Sequence, residues 1–292
     1  MTDAKVISSS TVTSAETPGA SVKDHPAFKW QPGHTCCILT HLAVEEPLEI
    51  RLGGRRFTLT MRTPGHDEEL VAGFLLAEGF IAAAGELAEI RRLRDGRGAL
   101  EPNVVDVILN VPAAGLRERL RRNFTVTSSC GVCGKTSIEA LERRLAPISG
   151  DARVRPATIV RMPALMREQQ AMFSSTGGLH AAALFALGPA GDSIALTAVR
   201  EDVGRHNAVD KVLGYALQSE LLPLNAAALM VSGRLSFEIV QKAASAGLPL
   251  LCAVSAASSL AVELAEKLGV TLVGFLRGDD FNVYTGRERI VD

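Results

Sequence analysis

The sequence lacks a large net charge, a disulfide framework and a long apolar run. A formal net charge of -1 argues against a general affinity for nucleic acid or acidic membranes. Five cysteines in 292 residues are too few and too unevenly spread for a disulfide framework. The longest apolar run, over 247–257, is far shorter than the ~18 residues of a membrane span, and residues 1–24 lack the apolar segment of a secretory signal. We therefore expect a cytoplasmic protein.

The composition predicts a globular protein of two domains. Hydrophobic residues make up 47% of the chain and charged residues 22%, which is close to the average for proteins with a buried core. Residues 1–28 are rich in Ser, Thr and Ala, and we expect them to form a disordered tail. A small α+β domain is predicted over 29–124 and a larger α/β domain over 125–292.

The smaller domain is predicted from alternation and glycine turns. Apolar and polar side chains alternate over 47–62 on both sides of Gly53 and Gly54, as in a β-hairpin. A helix is predicted to begin near Asp67, and two strand-like runs follow over 87–94 and 104–111.

The larger domain alternates strand-like and helical segments, which predicts a mainly parallel sheet with helices on both faces. Ligands of such sheets bind beyond the carboxyl ends of the strands. Three polar stretches are expected at those ends: "VSGR" (231–234), "VSAASS" (254–259) and "FLRGDD" (275–280).

The stretch "SSCGVCGK" (128–135) holds Cys130 and Cys133, for which several roles are open. A closed zinc site needs four ligands, but this is a single Cys-x-x-Cys pair; Cys36 and Cys37 are adjacent in a predicted strand and would point to opposite faces. Cys252 lies in an apolar strand and is predicted to be a core residue.

A catalytic zinc of the nucleobase-deaminase type is a better alternative but matches poorly. Such sites combine P-C-x-x-C with an upstream H-x-E. Here Ser129 precedes the first cysteine, and the literal H-x-E, from His66 to Glu68, is predicted at a helix start in the other domain.

A reactive thiol suits the local sequence. Thr136 and Glu139 have capping-box spacing, so a helix is expected to begin after Cys133. A helix N-terminus and the cation of Lys135 would both stabilise a thiolate, which can attack sulfur and carry it as a persulfide. A thioredoxin-like disulfide switch would use the same two cysteines, and the local chemistry leaves both alternatives open.

Three further polar stretches accompany the cysteines: "FSSTGGLHAAAL" (173–184), "REDVGRHNAVDKVLG" (200–214) and "SGRLSFEIVQKA" (232–243). Together with "SSCGVCGK" and "GFLRGDDFNVYT" (274–285), they resemble the formate dehydrogenase accessory sulfurtransferases, the FdhD family. The resemblance implies a cytidine deaminase-like three-layer fold for the larger domain, without the deaminase zinc site and with no other metal site.

The resemblance also implies the reaction. A cysteine desulfurase would supply sulfur as a persulfide on Cys130, with Cys133 as an assistant or second carrier. The acceptor would be the molybdenum cofactor, bis-molybdopterin guanine dinucleotide, on its way to formate dehydrogenase. The two guanine ends of this acceptor suggest a symmetric carrier, hence a homodimer.

The expected ligand-binding residues come from the same family motifs and from their chemistry. The family's cofactor-binding stretch corresponds to Phe275, Leu276, Arg277, Gly278, Asp279 and Asp280. Arginine supplies a charge-assisted fork for phosphate, and a carboxylate can accept hydrogen bonds from guanine. Four cationic residues on loops after strands are candidates to line an anionic pocket: Arg205, His206, Lys211 and Arg234. GDP is expected to bind as a fragment of the cofactor.

Overall fold

The structure is a computed structural model that describes residues 21–111, 145–148, 150 and 152–292. Cys130, Cys133 and the predicted domain boundary between residues 124 and 125 lie outside the described residues. Within them, the strands belong to a two-stranded ribbon, a four-stranded sheet and a six-stranded sheet.

The N-terminal ribbon pairs β1 (Val22–Gln31) with β2 (His34–Ala43) in antiparallel register, from Val22 opposite Ala43 to Gln31 opposite His34. Its turn contains Pro32 and Gly33, and Gly33 has a φ of 78°, which glycine adopts without strain. The predicted tail over 1–28 is therefore wrong in its last part, because residues 22–28 are strand. These residues were assigned to the tail because the segment before them is rich in Ser and Thr.

The four-stranded sheet has the order β4-β3-β6-β5. Its hairpin turns at Gly53 and Gly54, both with positive φ, and a helix covers one face, so the predicted hairpin, helix and following strands are confirmed. Its elements are β3 (Glu46–Leu52), β4 (Arg55–Arg62), α1 (Asp67–Ala77), β5 (Leu87–Arg94) and β6 (Leu100–Leu109).

The six-stranded sheet has the order β12-β11-β10-β9-β7-β8. Its elements, with the helices around it, are α2 (Pro156–Ile159), α3 (Met162–Glu168), α4 (Ala171–Thr176), β7 (His180–Leu187), β8 (Ile194–Asp202), α5 (Arg205–Gln218), β9 (Ala227–Val231), α6 (Phe237–Ser245), β10 (Leu250–Ala253), α7 (Ser259–Leu268), β11 (Thr271–Arg277) and β12 (Asp280–Thr285).

The prediction of a mainly parallel sheet is wrong. Only two of the five strand pairs are parallel, β9 with β10 and β10 with β11, while β7 pairs antiparallel with β8 and β9, and β12 pairs antiparallel with β11. Short connections join β7 to β8 and β11 to β12, and a short connection between neighbouring strands can make only an antiparallel pair.

Helices pack on both faces of this sheet. Ala182 and Leu229 face the core shared with α5, α6 and α7, whereas Ala183 and Met230 face a second core that includes residues of α2 and α3. Alternate residues of one strand thus enter different cores. The predicted class, a three-layer α/β domain with a smaller α+β unit, is confirmed.

The two sheets share one continuous core, and the crossing of α1 and α5 joins them. A Cβ atom at Gly73 would lie 1.8 Å from the carbonyl oxygen of Asp210, and one at Gly214 would lie 1.8 Å from that of Glu69. Only glycine allows this approach. Within the described residues, no helix combines the length and the apolar character that crossing a membrane requires.

Candidate functional site

Three of the polar stretches meet at one edge of the six-stranded sheet. β9 ends at Val231 and β10 at Ala253, and β7, which is antiparallel to β9, begins at the same edge with His180. α5, α6 and α7 follow β8, β9 and β10, so their N-termini also lie toward this edge. Polar groups from several elements thus lie beyond the carboxyl ends of β9 and β10, where the sequence predicts the ligand site.

His180 and Ser232 form the centre of this cluster. The Ser232 hydroxyl accepts a hydrogen bond from the backbone N–H of Ala181 at 2.9 Å and lies 3.5 Å from Nδ1 of His180. Burial, followed by the positive charge of Arg205, lowers the pKa of His180 below its ordinary value. The lowered pKa favours the neutral form of the His180 ring.

Arg205 opens α5 next to this pair. A Cβ atom at Gly233 would lie 3.4 Å from Cδ of Arg205 and 3.6 Å from Nδ1 of His180, so these residues pack together. Nε of Arg205 is buried and has no hydrogen-bond partner among the described residues. A buried guanidinium N–H without a partner is costly, and an anionic ligand would satisfy it.

His206 follows on the same helix and is already paired. Its Nε2 lies 3.1 Å from a carboxylate oxygen of Glu238, and the Ser236 hydroxyl is 3.3 Å from the same carboxylate. The hydrogen bond from His206 is the main cause of the lowered pKa of Glu238. The structure thus places His206 at the predicted edge, where it links the N-termini of α5 and α6.

A cleft of about 760 Å³ opens beside His180 and Ser232. Its other walls come from the helical segment before β7 and from Val254 after β10. Arg167 lies over the ring of Phe173, with its guanidinium carbon 4.2 Å from the ring centre. Sequence reasoning missed both residues, and the polar run around them, "MREQQAMFSS", was the available signal.

One predicted pocket residue is corrected, and the side chain of a second predicted residue is buried. Lys211 lies in the interior, with Nζ 2.8 Å from Asp202 and hydrogen bonds to the carbonyl oxygens of Thr63 and Glu201. It is nearly two turns into α5, and it contacts the end of β8 and the segment between β4 and α1. Leu276 is also buried, because its position in β11 directs its side chain into the second core.

The rest of "FLRGDD" surrounds the hairpin turn between β11 and β12. Gly278 has a φ of 58° and lies in the turn beside Asp279, while Arg277 and Asp280 pair across it. Asp279 and Asp280 are exposed. Arg277 donates from Nε to the carbonyl oxygen of Val254 at 3.1 Å, which ties the turn to the loop that lines the cleft.

The two other predicted residues of the set lie on the surface of the same edge. Phe275 is half-exposed, with a φ of 53°, and its backbone N–H donates to Ser255 in the loop after β10. Arg234 is exposed in the loop after β9. Ligand binding at either residue stays a prediction.

The cysteines within the described part of the chain suit the roles predicted for them. Cys252 is fully buried, and burial raises the pKa of its thiol. It is the core residue that was predicted. Cys36 and Cys37 lie in β2, half-buried and exposed respectively. The predicted helix start at His66 is also confirmed, because His66 directly precedes α1.

The fold and this cluster define an α/β protein with a cleft and neighbouring cationic side chains at the ends of its strands. The chain belongs to the FdhD/NarQ family, whose model matches residues 43–291.

Individual relatives agree with this assignment. The sulfur carrier protein FdhD of Mycolicibacterium paratuberculosis is 56% identical over 256 residues, which cover 85% of this chain and 91% of that protein. The protein of the same name from Nocardia farcinica is 51% identical over 254 residues, 85% of this chain and 88% of its own. A crystal structure assigned to a formate dehydrogenase accessory protein from Desulfotalea psychrophila has a TM-score of 0.70 at 28% identity, covering 92% of this chain and 99% of that one.

Proposed function

We propose that this protein is a sulfurtransferase that serves formate dehydrogenase. It receives sulfur from a cysteine desulfurase as a persulfide on Cys130 and delivers it to bis-molybdopterin guanine dinucleotide. Support comes from relatives named sulfur carrier protein FdhD and from a structural neighbour described as a formate dehydrogenase accessory protein. The observation that carries the proposal is the buried, unpartnered Nε of Arg205, next to a cleft, in a chain that also contains Cys130 and Cys133.

The receiving step needs no oxidant or reductant. The Cys130 thiolate attacks the outer sulfur of the desulfurase persulfide, a new S–S bond forms, and the S–S bond of the donor breaks. The donor cysteine leaves as a thiolate and takes up a proton from solvent. Cys133 would assist or act as a second carrier.

The acceptor is a substrate with two pyrophosphates and two guanines. Arg205 offers an unsatisfied N–H to a phosphate oxygen, and Arg277 and Arg234 are the further cations at the same edge. The Arg167 and Phe173 pair offers a flat surface to a heteroaromatic ring. Two guanine ends favour a two-fold symmetric carrier, so the functional unit proposed is a homodimer in the cytoplasm.

The decisive experiment is mass spectrometry of the intact protein and its peptides after incubation with a cysteine desulfurase and cysteine, without added reductant. The expected result is one extra sulfur on the Cys130 peptide and none in Cys130→Ala. An internal disulfide between Cys130 and Cys133 instead of added sulfur would identify a thiol-disulfide oxidoreductase.

Complementation separates the carrier from a protein that only binds the cofactor. In cells that lack the endogenous protein, Cys130→Ala is expected to leave formate dehydrogenase inactive. Full activation by Cys130→Ala would identify a non-enzymatic cofactor chaperone, because a chaperone needs the cleft and not the thiol.

Binding of GDP tests the anion site. Loss of a charge-assisted hydrogen bond costs about 1.5–3 kcal/mol, so Arg205→Ala should weaken GDP binding roughly 10- to 100-fold by calorimetry. Arg97→Ala, in the exposed turn between β5 and β6, is the matched control and should bind like the wild type. Equal affinities in both variants would remove Arg205 from the site.

A further inference from the structure

The ribbon of β1 and β2 presents a strongly apolar face to solvent. Pro26 pairs with Leu39, and Phe28 pairs with Cys37, so these side chains share one face with Trp30. Phe28 is 80% exposed, Trp30 72% and Leu39 65%, which are the highest values for large hydrophobic side chains in the described residues. We call this surface the apolar ribbon face.

Nothing in the described part of this chain covers that face. The ribbon pairs with no other strand, and its main helical neighbour is α4, which approaches the base near Ala43. An isolated two-stranded ribbon is marginally stable in water, and exposed apolar patches mark interaction surfaces. Residues 22–42 also precede the match to the FdhD/NarQ family, which begins at residue 43.

A second exposed apolar surface lies on the outer face of the four-stranded sheet. Leu59 and Met61 of β4 are 44% and 46% exposed, and Pro47 pairs with Met61 on the same face. Both side chains stay exposed with the ribbon in place, so the ribbon does not cover them within its own chain. A ribbon and a receiving face that lie apart in the described part of one chain can meet between two copies.

We propose that the ribbon is an arm that docks on a second copy of this chain, with its apolar face against Leu59 and Met61 of the partner subunit. A two-fold axis makes the contact reciprocal, so each copy gives one arm and receives one. The inference rests on the proposed homodimer and deepens it by naming the interface, whereas the persulfide experiment tests the sulfur chemistry separately.

The surface area that the proposed contact would bury agrees with a stable dimer. Each strand has 10 residues, so the ribbon is about 33 Å long at ~3.3 Å per residue and about 10 Å wide. One face then covers roughly 330 Å², and two arms with their two receiving faces bury roughly 1,300 Å², within the range of specific interfaces.

The test is the oligomeric state of three purified full-length proteins by sedimentation velocity, from submicromolar to tens of micromolar. The wild type should be a dimer. Phe28→Ser/Leu39→Ser removes two central anchors and should raise the dimer dissociation constant by about 30-fold or more. Leu100→Ser, which truncates a 55% exposed leucine outside both surfaces, is the matched control and should stay dimeric.

Trp30 supplies an independent readout because it is the only tryptophan in the sequence. Its fluorescence should shift to shorter wavelength as the wild type dimerises, and should stay red-shifted in Phe28→Ser/Leu39→Ser. Met61→Glu, on the receiving face, should give the same monomer with a normal circular dichroism spectrum.

Three outcomes would overturn the proposal. The first is a wild type that is monomeric throughout the range, and the second is a dimer that survives Phe28→Ser/Leu39→Ser. The third is a variant that keeps the wild-type oligomeric state and loses only its binding to the cysteine desulfurase or formate dehydrogenase, which would assign the ribbon to a different protein partner.

Discussion

The two sheets of this protein are stabilised differently. In the four-stranded sheet, Leu48 is buried on the inner face while Leu59 is 44% exposed on the outer face. In the six-stranded sheet, the consecutive residues Leu229 and Met230 are both 0% exposed, because helices pack on both faces. A sheet with one covered face buries fewer apolar side chains. Next to the four-stranded sheet, a cluster of buried charged side chains lies at the start of α1.

That cluster centres on Asp67. Its carboxylate accepts hydrogen bonds from Arg62 at 2.9 and 3.0 Å and from Arg92 at 3.0 Å, and both Asp67 and Arg62 are almost fully buried. Charges at this depth are tolerated only with partners. Paired buried charges therefore support the four-stranded sheet, whereas apolar packing on both faces supports the six-stranded sheet.

The largest effect is expected where the two sheets join. Gly214→Ala places a methyl group 1.8 Å from the carbonyl oxygen of Glu69, so the helices must separate. We expect a loss of more than about 4 kcal/mol in the free energy of unfolding, measured by urea denaturation. Gly85→Ala is the control, since a Cβ atom there meets nothing within 4 Å. A stable Gly214→Ala protein would mean that the sheets are not tightly coupled.

The second-largest loss of stability is expected in the charged cluster around Asp67. Asp67→Asn removes the bidentate partner of the buried Arg62 and leaves it only the more distant carboxylate of Glu46, at 3.5 Å, which should cost about 3–5 kcal/mol. Glu89→Gln in β5 is the matched control, because its pair with Arg91 is exposed and screened by solvent, so its loss should leave the urea midpoint near that of the wild type. Similar urea midpoints for the two variants would contradict a stabilising role for the buried charges.

Side-chain truncation tests the two kinds of sheet directly. Leu229→Ala and Met230→Ala should each cost about 2–5 kcal/mol, because neighbouring residues of β9 enter different cores. In the four-stranded sheet, Leu48→Ala should cost as much, while Leu59→Ala in the dissociated monomer should change stability by less than about 0.5 kcal/mol. A tolerated Met230→Ala would mean that the second helical layer contributes little.

The smallest expected effect is on the free energy of unfolding at acidic pH. Burial acts to raise the pKa of Glu69, but hydrogen bonds from Arg200 and His66 outweigh it and hold the pKa below its ordinary value. A carboxylate whose pKa is lower in the folded state stabilises the protein above its unfolded pKa, near 4.5, and loses that contribution as the pH falls through the folded value. Glu69→Gln should therefore lose less stability than the wild type as the pH falls below about 4.5 and through the folded pKa of Glu69. Parallel pH profiles would contradict this.

Much of the fold could be predicted because its signals are local. Alternation around Gly53 and Gly54 predicted the first hairpin, and apolar runs predicted the strands of the larger sheet. The relative direction of neighbouring strands could not be predicted from the local sequence. The sheet was predicted to be mainly parallel because its elements alternate, but the short connections after β7 and β11 reverse the chain.

The site was predicted less completely because side-chain direction depends on packing. Lys211 was assigned to the pocket by its nearness in sequence to Arg205, yet α5 directs it toward Asp202 in the interior. Leu276 was included because the cofactor-binding stretch of the family corresponds to residues 275–280, and its side chain enters the core. Arg167 and Phe173 were missed, since their contact forms only when α3 and α4 fold against each other.

The position of α4 links assembly to ligand capture. This helix carries Phe173 on the cleft wall, and at its C-terminal end Gly178 packs against Ala43 at the base of the ribbon. Coupling between two sites is reciprocal. In the proposed dimer, any free energy by which arm docking orders α4 would return as tighter ligand binding, and a loaded carrier would hold its partner more firmly than an empty one.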